Sequence, residues 1–191
     1  IFTVFQNTGI YAPLEIVNIG GMEWTMYNLA NPRQASGGAT FATELPSELT
    51  GVRLASHGKL YQWNRNISWS STSSSASDAN PSDTWQTTNS SGSKWTASPC
   101  PYGFRLPTNT EFQDLINTCN ATYMSGTWSS TNYGYLVLTD KTNSVNKLEF
   151  PAVGCRNAYG TLSNPGTEGD YWSSVQYDDI NAYGLYFNNV M

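Results

Sequence analysis

The chain holds a single histidine, and its position gives no catalytic pair. His57 follows Ser56 directly, whereas activating a serine needs a base that converges on the hydroxyl in space and a third group that orients it. His57 is therefore expected to be a surface residue. Four carboxylates, Glu168, Asp170, Asp178 and Asp179, fall close together in the last quarter of the chain. A pair of this kind flanking a glycosidic bond is what a glycosidase needs. These four lie among Gly154, Gly160, Gly166 and Gly169, and acidic residues in glycine-rich loops more often face solvent or ligate calcium. Three cysteines, Cys100, Cys119 and Cys155, are an odd number, so one thiol is expected to lack a partner within the chain. No catalytic residue is assigned. A different chemistry fits the C-terminal stretch better. Tyr177, Asp178, Asp179, Asn181, Tyr183, Tyr186, Asn188 and Asn189 mix phenols, amides and carboxylates as antibody loops do. Together with Trp85 they are the candidate ligand-binding residues.

The elements that would position them are read from periodicity. One helix is predicted after Pro107. Thr108 and Glu111 have capping-box spacing, and Phe112, Leu115, Ile116 and Cys119 fall at i, i+3, i+4 and i+7, predicting one buried stripe. Ile16, Val17 and Ile19 lead into Gly20-Gly21 and then an alternating Met22 to Met26, which reads as strands. Leu60 to Trp63 reads as another short segment. Tyr135 to Thr139 and Asn146 to Phe150 bracket a polar turn like a hairpin. Two further strands are expected around Tyr171–Ser174 and Ala182–Phe187. Residues 66 to 99 are mostly Ser, Thr, Asn and Asp, with Trp69, Trp85 and Trp95 among them, and read as a long surface loop. One helix and many short strands predict an α+β class with a mostly antiparallel sheet.

At 191 residues the chain fits a single domain. Only 12% of it is charged, about half the usual share, so hydroxyls, amides and phenols solvate the surface. A net charge of −5 and nine scattered basic residues exclude a nucleic-acid partner. No apolar run approaches the ~20 residues of a membrane-spanning helix.

Several segments resemble a known family when taken together. Cys100-Pro101-Tyr102-Gly103-Phe104-Arg105-Leu106-Pro107-Thr108 with Glu111-Phe112 resembles a signature of the formylglycine-generating-enzyme-like branch of the C-type lectin-like fold. Four more boxes complete the set: Glu23 to Leu29, Gly58 to Trp63, Phe150 to Asn157, and Gly169 to Ser174. In this order they resemble the Fibrobacter succinogenes major paralogous domain of bacterial surface proteins, across roughly residues 20 to 187. The resemblance implies a C-type lectin-like fold, with residues 1–19 as a lead-in strand segment and 20–191 as a domain lacking its final strand. It further implies that the missing strand would carry the partner of Cys100. The oxidases of this branch hold copper with two cysteines five residues apart, but here Gly160 stands five residues after Cys155, so oxidase activity is not expected. Calcium-dependent lectins of the fold use an EPN- or QPD-type loop. Asn80-Pro81-Ser82-Asp83 and Asn164-Pro165-Gly166 match neither, which leaves open only a non-standard calcium site and implies no cofactor.

The expected function is a non-enzymatic binding or adhesion module, extracellular on a bacterial surface or fimbria. Its expected partner is a host or bacterial glycan or protein, engaged through loops around 171–189 and 66–99. The alternative is a structural subunit of an extracellular fibre, packed against other subunits of the appendage.

Overall fold

The computed structural model describes residues 4–5, 16–26, 28–31, 40–41, 58–64, 68–70, 99–100, 104–126, 134–157, 161–178 and 181–189. In chain order the strands are β1 (Val4–Phe5), β2 (Ile16–Ile19), β3 (Met22–Thr25), β4 (Leu29–Asn31), β5 (Thr40–Phe41), β6 (Lys59–Tyr61), β7 (Ser68–Ser70) and β8 (Phe104–Arg105). Helix α1 (Asn109–Thr118) follows. After it come β9 (Cys119–Met124), β10 (Tyr135–Asp140), β11 (Lys147–Pro151), β12 (Cys155–Arg156), β13 (Leu162–Ser163), β14 (Glu168–Gln176) and β15 (Ala182–Asn188).

These strands form one four-stranded sheet in the order β2-β3-β1-β8 and one three-stranded sheet in the order β11-β10-β9. Four two-stranded pairs accompany them, β12-β13, β14-β15, β4-β5 and β6-β7. Every strand pairing is antiparallel. The α+β class and the C-type lectin-like arrangement expected from sequence are corrected here. Described residues are dominated by small antiparallel sheets, with one helix of ten residues. The apolar run after Thr108 gives way to strand at Cys119, so the helix is too short to form a layer of its own.

Local chemistry accounts for the main elements. Gly20 and Gly21 both take positive φ, 65° and 78°, as the two-residue turn between Ile19 and Met22 requires. Thr108 caps α1 by accepting from the Glu111 amide at 3.2 Å, and the Glu111 carboxylate accepts from the Thr108 amide at 2.7 Å. Arg105 from β8 donates two bonds to that carboxylate, at 2.7 and 2.5 Å. Phe112 and Leu115 are buried, but Ile116 is 43% exposed, and Cys119 lies beyond the helix as the first residue of β9. The buried stripe is thus narrower than predicted. It runs through positions 112 and 115, and Ile116 turns past its edge. The hairpin expected between positions 135 and 150 is present as β10 and β11, with Leu138 opposite Leu148. Asp140 closes its turn by accepting from the Thr142 amide and hydroxyl, both at 2.8 Å.

Part of the expected loop from 66 to 99 is strand, because β7 pairs with β6 through Leu60↔Trp69. Trp85 and Trp95 lie outside the described residues.

The core collects Ile19 and Trp24 from the β2–β3 hairpin, Phe112 and Leu115 from α1, Leu138, Leu148 and Phe150 from β10–β11, and Tyr171 and Phe187 from β14–β15. Polar ties join segments far apart in sequence. Trp63, fully buried, donates its indole N–H to the Ser173 carbonyl at 3.0 Å, and Trp172 donates back to the Tyr61 carbonyl at 2.8 Å. The buried Asn28 amide donates to the Tyr171 hydroxyl at 3.3 Å, which in turn donates to the Pro151 carbonyl at 2.7 Å.

Candidate functional site

Strand alternation sorts the β14–β15 hairpin into two faces. Gly169, Tyr171 and Ser173 point inward with Leu185 and Phe187 and are buried. Gly169 is where the sheet needs no side chain, since a Cβ there would sit 2.2 Å from the Phe187 ring. The opposite face carries Glu168 across from Asn188, Asp170 across from Tyr186, and Trp172 across from Gly184.

On that outer face Tyr186 is 55% exposed. Its hydroxyl donates to Glu168 Oε1 at 3.2 Å and accepts from Asn188 Nδ2 at 3.0 Å. The other Glu168 oxygen accepts from Asn164 Nδ2 at 2.7 Å. A continuous chain therefore runs from Asn188 through Tyr186 and Glu168 to Asn164. Asn164 reaches this place because its backbone takes φ 52° and its carbonyl accepts from the Thr167 and Glu168 amides.

Asp170 stands beside this chain. Burial and then the neighbouring Glu168 charge push its carboxyl above the usual aspartate value, against the opposing hydrogen bond with Cys155. Burial, followed by the charges of Asp170 and Glu168, raises the Cys155 thiol to about 11. Cys155 thus remains a protonated thiol at neutral pH and serves as a donor to Asp170. No disulfide joins Cys100, Cys119 and Cys155.

The remaining sequence-predicted residues form a second group at the hairpin's end. Asp178 accepts from the Asn181 amide at 2.7 Å and from Asn181 Nδ2 at 2.9 Å. The Asn181 carbonyl accepts from the amides of Tyr177 and Asp178. Both side chains are thus occupied in closing the turn. Tyr177 and Tyr183 meet edge to face at 5.0 Å, with Tyr177 52% exposed. Asn189 is exposed just beyond β15. Asp179 and Trp85 lie outside the described residues.

No family model, curated protein or solved structure matches this chain. Sequence reasoning placed Tyr186 and Asn188 in the binding stretch but left out Glu168, Asp170 and Asn164 as their companions. The alternation of Glu168, Asp170 and Trp172 along one strand was the available signal. Pairing across the hairpin, which puts Glu168 and Tyr186 together, has no local signature. Among the described residues no group of three or more His, Cys, Asp or Glu is placed to hold a metal ion, and no helix is long and apolar enough to cross a membrane.

Proposed function

We propose that this domain is a non-enzymatic extracellular recognition module that binds a glycan through the outer face of β14–β15. The observation that carries this reading is the exposed Tyr186 ring, fixed between Glu168 and Asn188 and followed by Asp170. An aromatic ring with amide and carboxylate groups at its edge offers a sugar both an apolar platform and directional hydrogen bonds. The hydrogen-bonded chain orients these groups before any ligand arrives, which lowers the ordering cost of binding. Display on a bacterial surface or fimbria draws support from the low charge content and from the resemblance of the ordered sequence boxes to the Fibrobacter succinogenes major paralogous domain.

A glycan array probed with the purified protein, followed by calorimetry on the hits, tests the proposal. Tyr186→Ala should weaken binding about tenfold or more, as the loss of a central aromatic contact does, with little change in thermal stability. Absence of any glycan binder, or a Tyr186→Ala protein that binds as the parent does, would overturn it. Hydrolysis of the bound sugar would overturn the non-enzymatic part alone.

The second reading is a subunit of an extracellular fibre. It is favoured by β9, one of the two edge strands of its three-stranded sheet among the described residues, since such an edge can accept a strand from a neighbour. Growth of polymers by the purified protein in light scattering would support it over the first.

A further inference from the structure

The outer face of β14–β15 carries more negative charge than a neutral sugar can use. Tyr186 and Asp170 are exposed there and Glu168 is half-buried, so a molecule lying on the face reaches all three. Glu168 and Asp170 stand two positions apart on one side of β14, about 7 Å along the strand, and Tyr186 stands across from Asp170 on β15. Gly184, the next residue of β15 on that side, adds no side chain beside the Tyr186 ring.

The two carboxylates have donors but no counter-charge. Glu168 accepts from the Tyr186 hydroxyl at 3.2 Å and from Asn164 Nδ2 at 2.7 Å. Both donors are neutral, and each Glu168 oxygen keeps a second lone pair. Asp170 is bonded by the Cys155 thiol, a weak donor. Neither carboxylate makes an ion pair among the described residues, and the charge acting on Asp170 is the like charge of Glu168. Two anions held beside an aromatic ring favour a cation. Each can accept a charge-assisted hydrogen bond, and the negative face of the ring attracts positive charge. A neutral hydroxyl or acetamide would leave the repulsion between the carboxylates unrelieved. An acidic sugar would add a further negative charge to a chain already at −5.

We propose that the outer face of β14–β15 selects glycans bearing an unacetylated amino sugar, whose ammonium group sits between Glu168 and Asp170 while its ring lies on Tyr186. This rests on the glycan reading of the same face and adds the charge of the ligand to it. A lysine side chain carries the same ammonium but offers no ring to Tyr186 and no hydroxyl to Asn188, which places it second.

Three trisaccharides of similar size test the selection: glucosamine, N-acetylglucosamine and galacturonic acid trimers. Each is titrated into the full chain by calorimetry at neutral pH, with Nα-acetyl-lysine methylamide alongside. The glucosamine trimer should bind about tenfold more tightly than the N-acetylglucosamine trimer, as a charge-assisted contact on an exposed face allows, and the galacturonic acid trimer most weakly. The preference should shrink as salt is raised. The double variant Glu168→Gln with Asp170→Asn keeps the shape of both side chains and should bring the ratio of the first two affinities close to one, with circular dichroism confirming its fold. Equal affinities in the parent, a preference for the acetylated or the acidic trimer, or a ratio unchanged in the double variant would each overturn the inference. If Tyr186→Ala still weakens whichever sugar binds, the glycan reading survives that outcome. A lysine derivative bound as tightly as the glucosamine trimer would overturn the choice of a sugar in favour of a protein ligand. No binding of any trimer would overturn the inference, and an empty glycan array would take the glycan reading with it.

Discussion

Replacing Glu111 tests whether the junction between β8 and α1 is held by charge as well as by shape. Its carboxylate takes the Thr108 amide at 2.7 Å and two Arg105 N–H groups at 2.7 and 2.5 Å. Glu111→Ala leaves the Thr108 amide at the helix start without this acceptor, a loss of about 1 kcal/mol by analogy with other helix caps. The Arg105 side chain is 34% exposed against 15% for Glu111, so solvent screens their attraction and a further ~1 kcal/mol is assigned to it. The sum of about 2 kcal/mol should lower the melting temperature by about 4–8 °C in a chain of this length. Glu111→Gln keeps a carbonyl oxygen and should lose about half as much. Burial alone would raise the Glu111 carboxyl, but the bonds from Arg105 and Thr108 outweigh it and hold the pKa below the ordinary 4.5. A lowered folded pKa gives stability that is present above the ordinary value and lost as pH falls through the folded one. The gap between parent and Glu111→Gln should therefore be full at neutral pH and close as the acid range is entered. Circular-dichroism melts across that range measure it. An equal gap at neutral and strongly acidic pH would show that charge is not its source.

Three further outcomes are expected. Leu115→Ala, which empties a site 2% exposed, should cost about 2–5 kcal/mol in denaturant titration. Asp170→Asn should raise the melting temperature at neutral pH and make no difference at strongly acidic pH. The Asp170 carboxyl is raised in the fold, so stability falls as pH climbs through its titration. Mass-spectrometric kinetics at neutral pH should find Cys155 alkylated by iodoacetamide roughly ten- to a hundredfold more slowly than a free cysteine, because its thiol sits near 11. Rapid labelling would refute the half-buried, acid-flanked setting assigned to it.

Features whose cause is local were legible in the amino-acid order. The Thr108–Glu111 box, the Gly20-Gly21 turn and the β10–β11 hairpin each depend on residues a few positions apart, and each is present. Features set by distant partners were not. Ile116 has the right helical spacing for burial, yet it is left exposed at the edge of the stripe. The Ser/Thr-rich composition around positions 68–70 hides a strand because its support comes from β6. Asp178 and Asn181 were named as ligand-binding residues, but a local reading could not separate turn closure from ligand contact. Tyr186 and Asn188 were named from composition, while Glu168 joins them only through the register of β14 against β15.

The reciprocal tryptophan bonds have a consequence for the order in which the molecule is made. They join residues 110 and 111 positions apart, and the Asn28–Tyr171 bond spans 143. A ribosome adding 5–20 residues per second needs roughly 5–20 seconds to travel from Trp63 to Ser173. For that interval the acceptors of Trp63 and Asn28 do not yet exist. Contacts this distant also close slowly once both ends are present. The first half of the chain consequently emerges before the partners of these three bonds have been made, and the bonds close only when the last hairpin arrives.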